Sequence, residues 1–316
     1  MEIITDSSMF PRLKRELVQV DELQIFCREH NTKQPAAIYN VSFGKILEPL
    51  NEIAKLYASF DVSKVEDKDY NNAQFLKVYR DLLYALREHL DDCFSILKVF
   101  INPEGKSTMR KNQYLWLDNN KTKELGEVLD SIKPYKEHLD LVVNEMKHNN
   151  SILGSISFFD KNYPDEHCLG YYVSNVTDGL YQPVESIHKS WRNCRTAFSF
   201  KRDISYHLFH VYMVSEVISD YLRSVHDEVF TKTQQQVEQN EQLKETFSTL
   251  VQIPRIFMPD EYEKPVPSVA ITGQGELRLL YPSRLTIKAN KLSQFILTHT
   301  TDGVTGSYAL LYGEVR

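Results

Sequence analysis

The sequence predicts a mainly α, α+β fold: a helical bundle with an inserted β-hairpin and a small C-terminal antiparallel β unit. Three observations carry that expectation. Phe75, Tyr79, Leu82, Leu83, Leu86, Leu90, Phe94 and Leu97 form one apolar stripe at helical spacing. Positions 208–222 are apolar nearly all round, the pattern of a helix buried on every side. Positions 152–159 and 168–176 are short runs rich in β-branched and aromatic residues, as strands are.

In chain order, Phe10, Leu13, Leu17, Val20 and Leu23 predict one or two short helices within 8–30, interrupted at Pro35. Ile46, Leu50, Ile53, Ala54 and Tyr57 mark a second helix ending near Phe60, and the polar stretch 62–72 reads as a loop. The long helix follows over about 72–100, with Lys77/Asp81 and Arg87/Asp91 four apart, and the Asn102-Pro103-Glu104-Gly105 run stops it. On this helix His89, after Arg87 and Glu88, falls at the polar edge and reads as a surface residue. Leu125, Val128, Leu129, Ile132, Leu139, Val142, Val143 and Met146 predict a helix over 119–148 that Pro134 should kink or split. The turn-like 160–165 stretch joins the two strand runs into the hairpin around 152–176. Helical pattern returns at 181–198 and at 203–230, completing the bundle. Polar, glutamine-rich 231–246 reads as a solvated helical extension or a linker.

Prolines 254, 259, 265 and 267 mark a boundary, so the expected organisation is a helical domain over 1–250, a proline-rich linker over 251–267 and a β unit over 268–316. Within the last, 269–272, 276–281, 285–288 and 308–315 read as strands.

Composition excludes several functions. With 37 basic and 43 acidic residues the net charge is -6, so the chain has no general attraction to polyanions, and any such binding must come from a local patch. Cys27, Cys93, Cys168 and Cys194 are far apart and read as reduced, buried thiols of a cytoplasmic protein. The start Met1-Glu2-Ile3-Ile4-Thr5-Asp6 lacks the pattern of a signal peptide, and no stretch approaches the ~20 apolar residues of a membrane span. Gly105-Lys106-Ser107-Thr108 ends like a phosphate-binding loop, but Phe100 stands where the first glycine is needed and a helix precedes it where a strand should. No cofactor is expected. His207 and His210 are three apart with Glu216 further on, but a third ligand at a recognised spacing is missing, so no metal is expected either.

The remaining candidates are polar. Lys106, Arg110 and Lys111, followed by Tyr114 and Trp116, form a basic patch beside aromatics that suits a phosphate backbone or a stacked base. Lys147 and His148 close a helix, where positive charge suits the helix dipole, and a cleft there would make them substrate contacts. Arg202, Asp203 and His207 head the last long apolar helix. Arginine, a polar residue directly after it and a histidine separated from the arginine by four residues resemble the signature of the HEPN superfamily, helical proteins of bacterial defence, toxin and RNA-processing systems. The resemblance covers six residues and implies metal-independent cleavage of RNA at a homodimer interface. His207 would move the proton of the ribose 2′-hydroxyl or of the leaving oxygen, Arg202 would stabilise charge on the phosphate, and Asp203 would orient one of them. The competing expectation is a non-catalytic interaction or assembly protein, suited by the 18 tyrosines, the 16 phenylalanines, the glutamine-rich stretch and the strand-rich tail.

Overall fold

A computed structural model describes residues 1–59, 72–104, 112–149, 151–160, 163–177, 180–231, 240–284, 295–300, 307–308 and 311–312. The helices are α1 (Arg12–Leu17), α2 (Pro35–Ala58), α3 (Asn72–Val99), α4 (Gln113–Asn119), α5 (Lys123–His148), α6 (Phe200–Val225) and α7 (Glu241–Gln252). The mainly helical α+β class is thus the one the periodicity predicts. No helix among the described residues is long and apolar enough to cross a membrane.

The helices start where their sequences allow it. Pro35 opens α2 at its first turn, where its missing N–H costs nothing; it begins a helix where it was expected to interrupt one. Asn112, Thr122 and Asn240 cap α4, α5 and α7 by accepting from the backbone N–H three residues on. Pro134 does not split α5, which runs on through it. Both Pro134 and Asp130, whose carbonyl loses its intrahelical donor, lie on the exposed side, where water takes over.

Two larger sheets flank the helices. β1 (Glu2–Ile4), β9 (Leu277–Leu280) and β8 (Ser268–Ile271) form one, in that order and antiparallel. The other has the order β10 (Phe295–Thr300), β2 (Ile152–Asp160), β3 (Tyr163–Thr177), β4 (Leu180–Pro183), β11 (Ser307–Tyr308), with β7 (Phe198–Ser199) also on β3. The hairpin read from 152–176 is β2–β3, antiparallel from Ile152 opposite Ser174 to Phe159 opposite His167. Its strands reach into the expected turn, as Asp160 pairs with Tyr163. The C-terminal strands do not make a sheet of their own: β8–β9 recruit the N-terminal β1, and β10 adds to the hairpin. The expected strand over 285–288 lies outside the described residues, as do 60–71 and 232–239.

The helix expected over 181–198 is absent. That stretch holds β4, a turn closed by Val184, and the small hairpin of β5 (Ser190–Trp191) and β6 (Cys194–Arg195) before β7. Only a single turn, between Val184 and Ile187, is helix-like there. Arg192 (φ 48°) and Asn193 (φ 64°) then both take the left-handed conformation of a two-residue hairpin turn, which ends any helix.

Helix α6 runs through the main core, with 17 buried positions that include Phe200, Ile204, Leu208, Val211, Ile218 and Leu222. It packs on α1, α5, β3 and β8, while α3 packs on α2, α4 and α5. The β2–β3 hairpin is covered on both faces. Leu153, Tyr171 and Val173 join the helical core, and Ile156, Cys168 and Tyr172 join a second cluster with Ala197, Met258, Leu311 and Tyr312.

Two glycines separate close packing from open space. A Cβ on Gly170 would stand 2.2 Å from the Phe198 carbonyl oxygen and 2.3 Å from Met258 Cε, whereas one on Gly44 would meet nothing within 4 Å. Gly170→Ala should cost at least ~2 kcal/mol, because a backbone carbonyl of the β3–β7 pair must move. Gly44→Ala, within α2, should stabilise by ~0.5–1 kcal/mol. Urea unfolding of the two variants checks both signs.

Candidate functional site

Helix α6 begins at Phe200, so Arg202, Asp203 and His207 all lie inside it. Residues four apart on a helix share a face, while residues five apart are turned by about 140°. Asp203 and His207 therefore converge, with Oδ2 of the one 3.3 Å from Nε2 of the other, and Arg202 points elsewhere.

Around the Asp203–His207 pair the fold assembles a polar cluster in an otherwise apolar core. Tyr79 of α3 and Tyr171 of β3 both donate their hydroxyls to Asp203 Oδ2, at 2.5 and 2.7 Å. Tyr135 of α5 holds His207 Nδ1 at 3.2 Å. His138, one turn further on α5, stacks obliquely on His207 with ring centroids 6.0 Å apart. Asp203 and His207 are each 2% exposed, and Tyr79 and Tyr171 are fully buried. His138 alone among these side chains is partly exposed.

The electrostatics follow from that burial. Burial alone would push the Asp203 carboxyl up, but His207, His138 and the Tyr79 hydroxyl outweigh it and hold the group well below the usual carboxylate range. A carboxylate accepting two phenolic hydroxyls is an anion, and a buried anion needs a positive partner. Burial, reinforced by His207 and opposed by Asp203, lowers His138 to about 4. His207 Nε2 is buried without a hydrogen-bond partner, 3.3 Å from Asp203 Oδ2.

Arg202 belongs to a different neighbourhood. Its Nη2 donates to the Pro265 carbonyl at 3.1 Å. Its charge also acts on Glu261, a buried residue that accepts from the backbone N–H of Ser199 and of Met258. Arg202 thus ties the start of α6 to the proline-rich 254–267 segment. Lys201 ties the same turn to α7, donating from its ammonium to the Leu250 and Val251 carbonyls at that helix's end.

The other expected contacts disperse. Lys147 and His148 end α5 on the exposed surface, with Lys147 Nζ 5.0 Å above the Tyr84 ring. Lys106, Arg110 and Lys111 lie outside the described residues. His89 is buried rather than exposed. It accepts from or donates to Ser42 at 2.8 Å, packs edge-on against Tyr39, and is lowered to about 3 by burial. The stripe of α3 is wider than its leucines suggested, because α2 covers the side that carries His89.

In the sequence Tyr79 stands out only as part of a core stripe, and Tyr171, Tyr135 and His138 do not stand out at all. His138 stands three after Tyr135 and one before Leu139, at the margin of the α5 apolar face, which is the one signal that could have found it.

A groove of about 410 Å3 lies between α2 and α3. Glu48 and Glu52 line one wall, Asp81 and Glu88 the other, and Pro49, Val78 and Ala85 supply apolar surface. Among the described residues lining it, Lys45 is the one cation, and it pairs with Glu88 at 2.5 Å. Nearby, burial and the charges of Glu88 and Asp91 raise Asp92 to about 6.

Comparison with protein-family models, curated proteins and solved structures found no match for this chain.

Burial raises Glu261 to about 7, against the pull of Arg202 and of the Ser199 N–H. A carboxyl raised in the folded state binds its proton more tightly there than when unfolded, so it subtracts stability as pH rises from about 4.5 to about 7. Glu261→Gln, which keeps an acceptor and removes the charge, should therefore gain on the parent protein across that window, by on the order of 1–3 kcal/mol. Paired denaturation curves at pH 5 and pH 8 measure it. A difference independent of pH would show that Glu261 titrates normally.

Proposed function

We propose that the protein is a non-catalytic interaction protein that takes a basic, partly aliphatic segment of a protein partner into the groove between α2 and α3. The observation that carries this reading is the groove's composition: four carboxylates and one lysine around an apolar floor continuous with the core. Acidic walls attract and orient lysine- and arginine-bearing segments, and the floor gives an aliphatic side chain somewhere to bury. The overall charge of -6 adds long-range attraction for such a partner. The four free, buried cysteines suit a reducing, cytoplasmic location.

The endoribonuclease reading finds less support in the same geometry. It needs Arg202 and His207 together on a surface that a phosphodiester can reach. His207 is 2% exposed, and Arg202 is committed to Pro265 and Glu261 around the helix from it.

The test uses the full chain and a fluorescent synthetic helix with lysine and leucine on one face. Saturable binding that weakens with salt is expected, and the double substitution Glu48→Lys/Glu52→Lys should weaken it tenfold or more. Binding indifferent to the charge reversal would contradict the groove assignment. Cleavage of RNA without added metal, lost in His207→Ala while the fold persists, would replace this reading with the nuclease.

A further inference from the structure

We infer that Asp203, His207 and His138 form a binding site for a single divalent transition-metal ion of the zinc type, which clamps α5 to α6. Each residue offers one ligand atom, and the three atoms lie within 4.8 Å of one another. The inference is independent of the groove, which lies on other faces of the molecule.

Geometry is the first support. Bonds of about 2.0–2.1 Å in a tetrahedral site put neighbouring ligand atoms roughly 3.3 Å apart. Asp203 Oδ2 and His207 Nε2 already stand at 3.3 Å, one helical turn apart on one face of α6. His138 lies within 4.8 Å of both, so closing it to the same spacing moves its ligand atom by at most about 1.5 Å, and its partial exposure gives that side chain room.

The second support is independent of the cluster's composition. His207 Nε2 is a buried nitrogen without a hydrogen-bond partner, and it faces the Asp203 carboxylate. Buried polar atoms left unsatisfied are rare and costly, so this one calls for an occupant. Its other ring nitrogen is held by the Tyr135 hydroxyl at 3.2 Å, which is the outer-shell contact that fixes a ligating imidazole. Tyr79 and Tyr171 fix the carboxylate through the same Oδ2, and one of these hydroxyls must turn aside to free a lone pair for the ion.

Donor chemistry narrows the ion. Two imidazoles and one carboxylate suit zinc and its first-row neighbours, and disfavour magnesium and calcium, which prefer all-oxygen sets. Three protein ligands leave a fourth position, on the partly exposed His138 side, for water. The ion would also neutralise the buried Asp203 carboxylate.

Metal-free full-length protein titrated with zinc by calorimetry, and with cobalt(II) followed by visible absorption, decides the matter. One equivalent should bind, with the intense d–d bands of tetrahedral cobalt. His138→Ala, the change least able to disturb the core, should weaken binding at least tenfold without altering circular dichroism. Tyr135→Phe, which keeps all three ligands, should weaken it about tenfold through loss of the outer-shell contact. Zinc should raise the melting temperature of the parent protein and not that of His138→Ala. Absence of saturable binding, or binding that His138→Ala leaves unchanged, would overturn the site and leave Asp203 and His207 as a close buried contact without metal.

Discussion

One buried carboxylate organises this fold. Asp203 sits in the first turn of α6, where the helix dipole favours a negative charge. From there it collects a hydroxyl from α3 and a hydroxyl from the β2–β3 hairpin, beside an imidazole of its own helix. Helix α5 joins through Tyr135 and His138. Apolar burial supplies most of the stability, as in any core of this size, but it is indifferent to direction. Directed contacts of this kind fix which helix face meets which strand, because a misaligned arrangement would leave a charge and several hydroxyls buried without partners.

A second polar layer sets the position of the 254–267 segment. Arg202 on Pro265, Glu261 under Ser199, and Lys201 on the end of α7 join the start of α6 to chain that the sequence presents as a linker. Asp260 repeats the device further out, between the Tyr312 hydroxyl and Lys264. Side chains from the start of α6 hold this proline-rich stretch in place.

The helices were legible where hydrophobic period alone decides structure. α3 and α6 follow their apolar stripes over nearly their whole predicted lengths. The sequence misled where backbone conformation or a remote partner decides. Arg192 and Asn193 make a hairpin turn that no apolar spacing reveals. β1 pairs with β9 some 275 residues away, and local pattern is silent about such partners. The candidate site was half legible. Asp203 and His207 are four apart and α6 is helical, so their meeting follows from the chain. Tyr79, Tyr171, Tyr135 and His138 arrive from three other elements and look like ordinary core aromatics until the fold brings them to the carboxylate. Arg202 shows the converse: adjacency in sequence put it beside Asp203, and the helical turn carried it to another neighbourhood.

The claim that a single carboxylate binds α3 and β3 to α6 is tested most directly by double-mutant cycles. Asp203→Asn combined with Tyr79→Phe, and separately with Tyr171→Phe, read the energy that each hydroxyl shares with the charge, free of other effects of each change. Coupling of about 1 kcal/mol or more in both cycles is the expected result, because each hydroxyl serves an ion in the core. Coupling near zero in both, with the tyrosine changes simply adding to the loss of the carboxylate, would contradict the account.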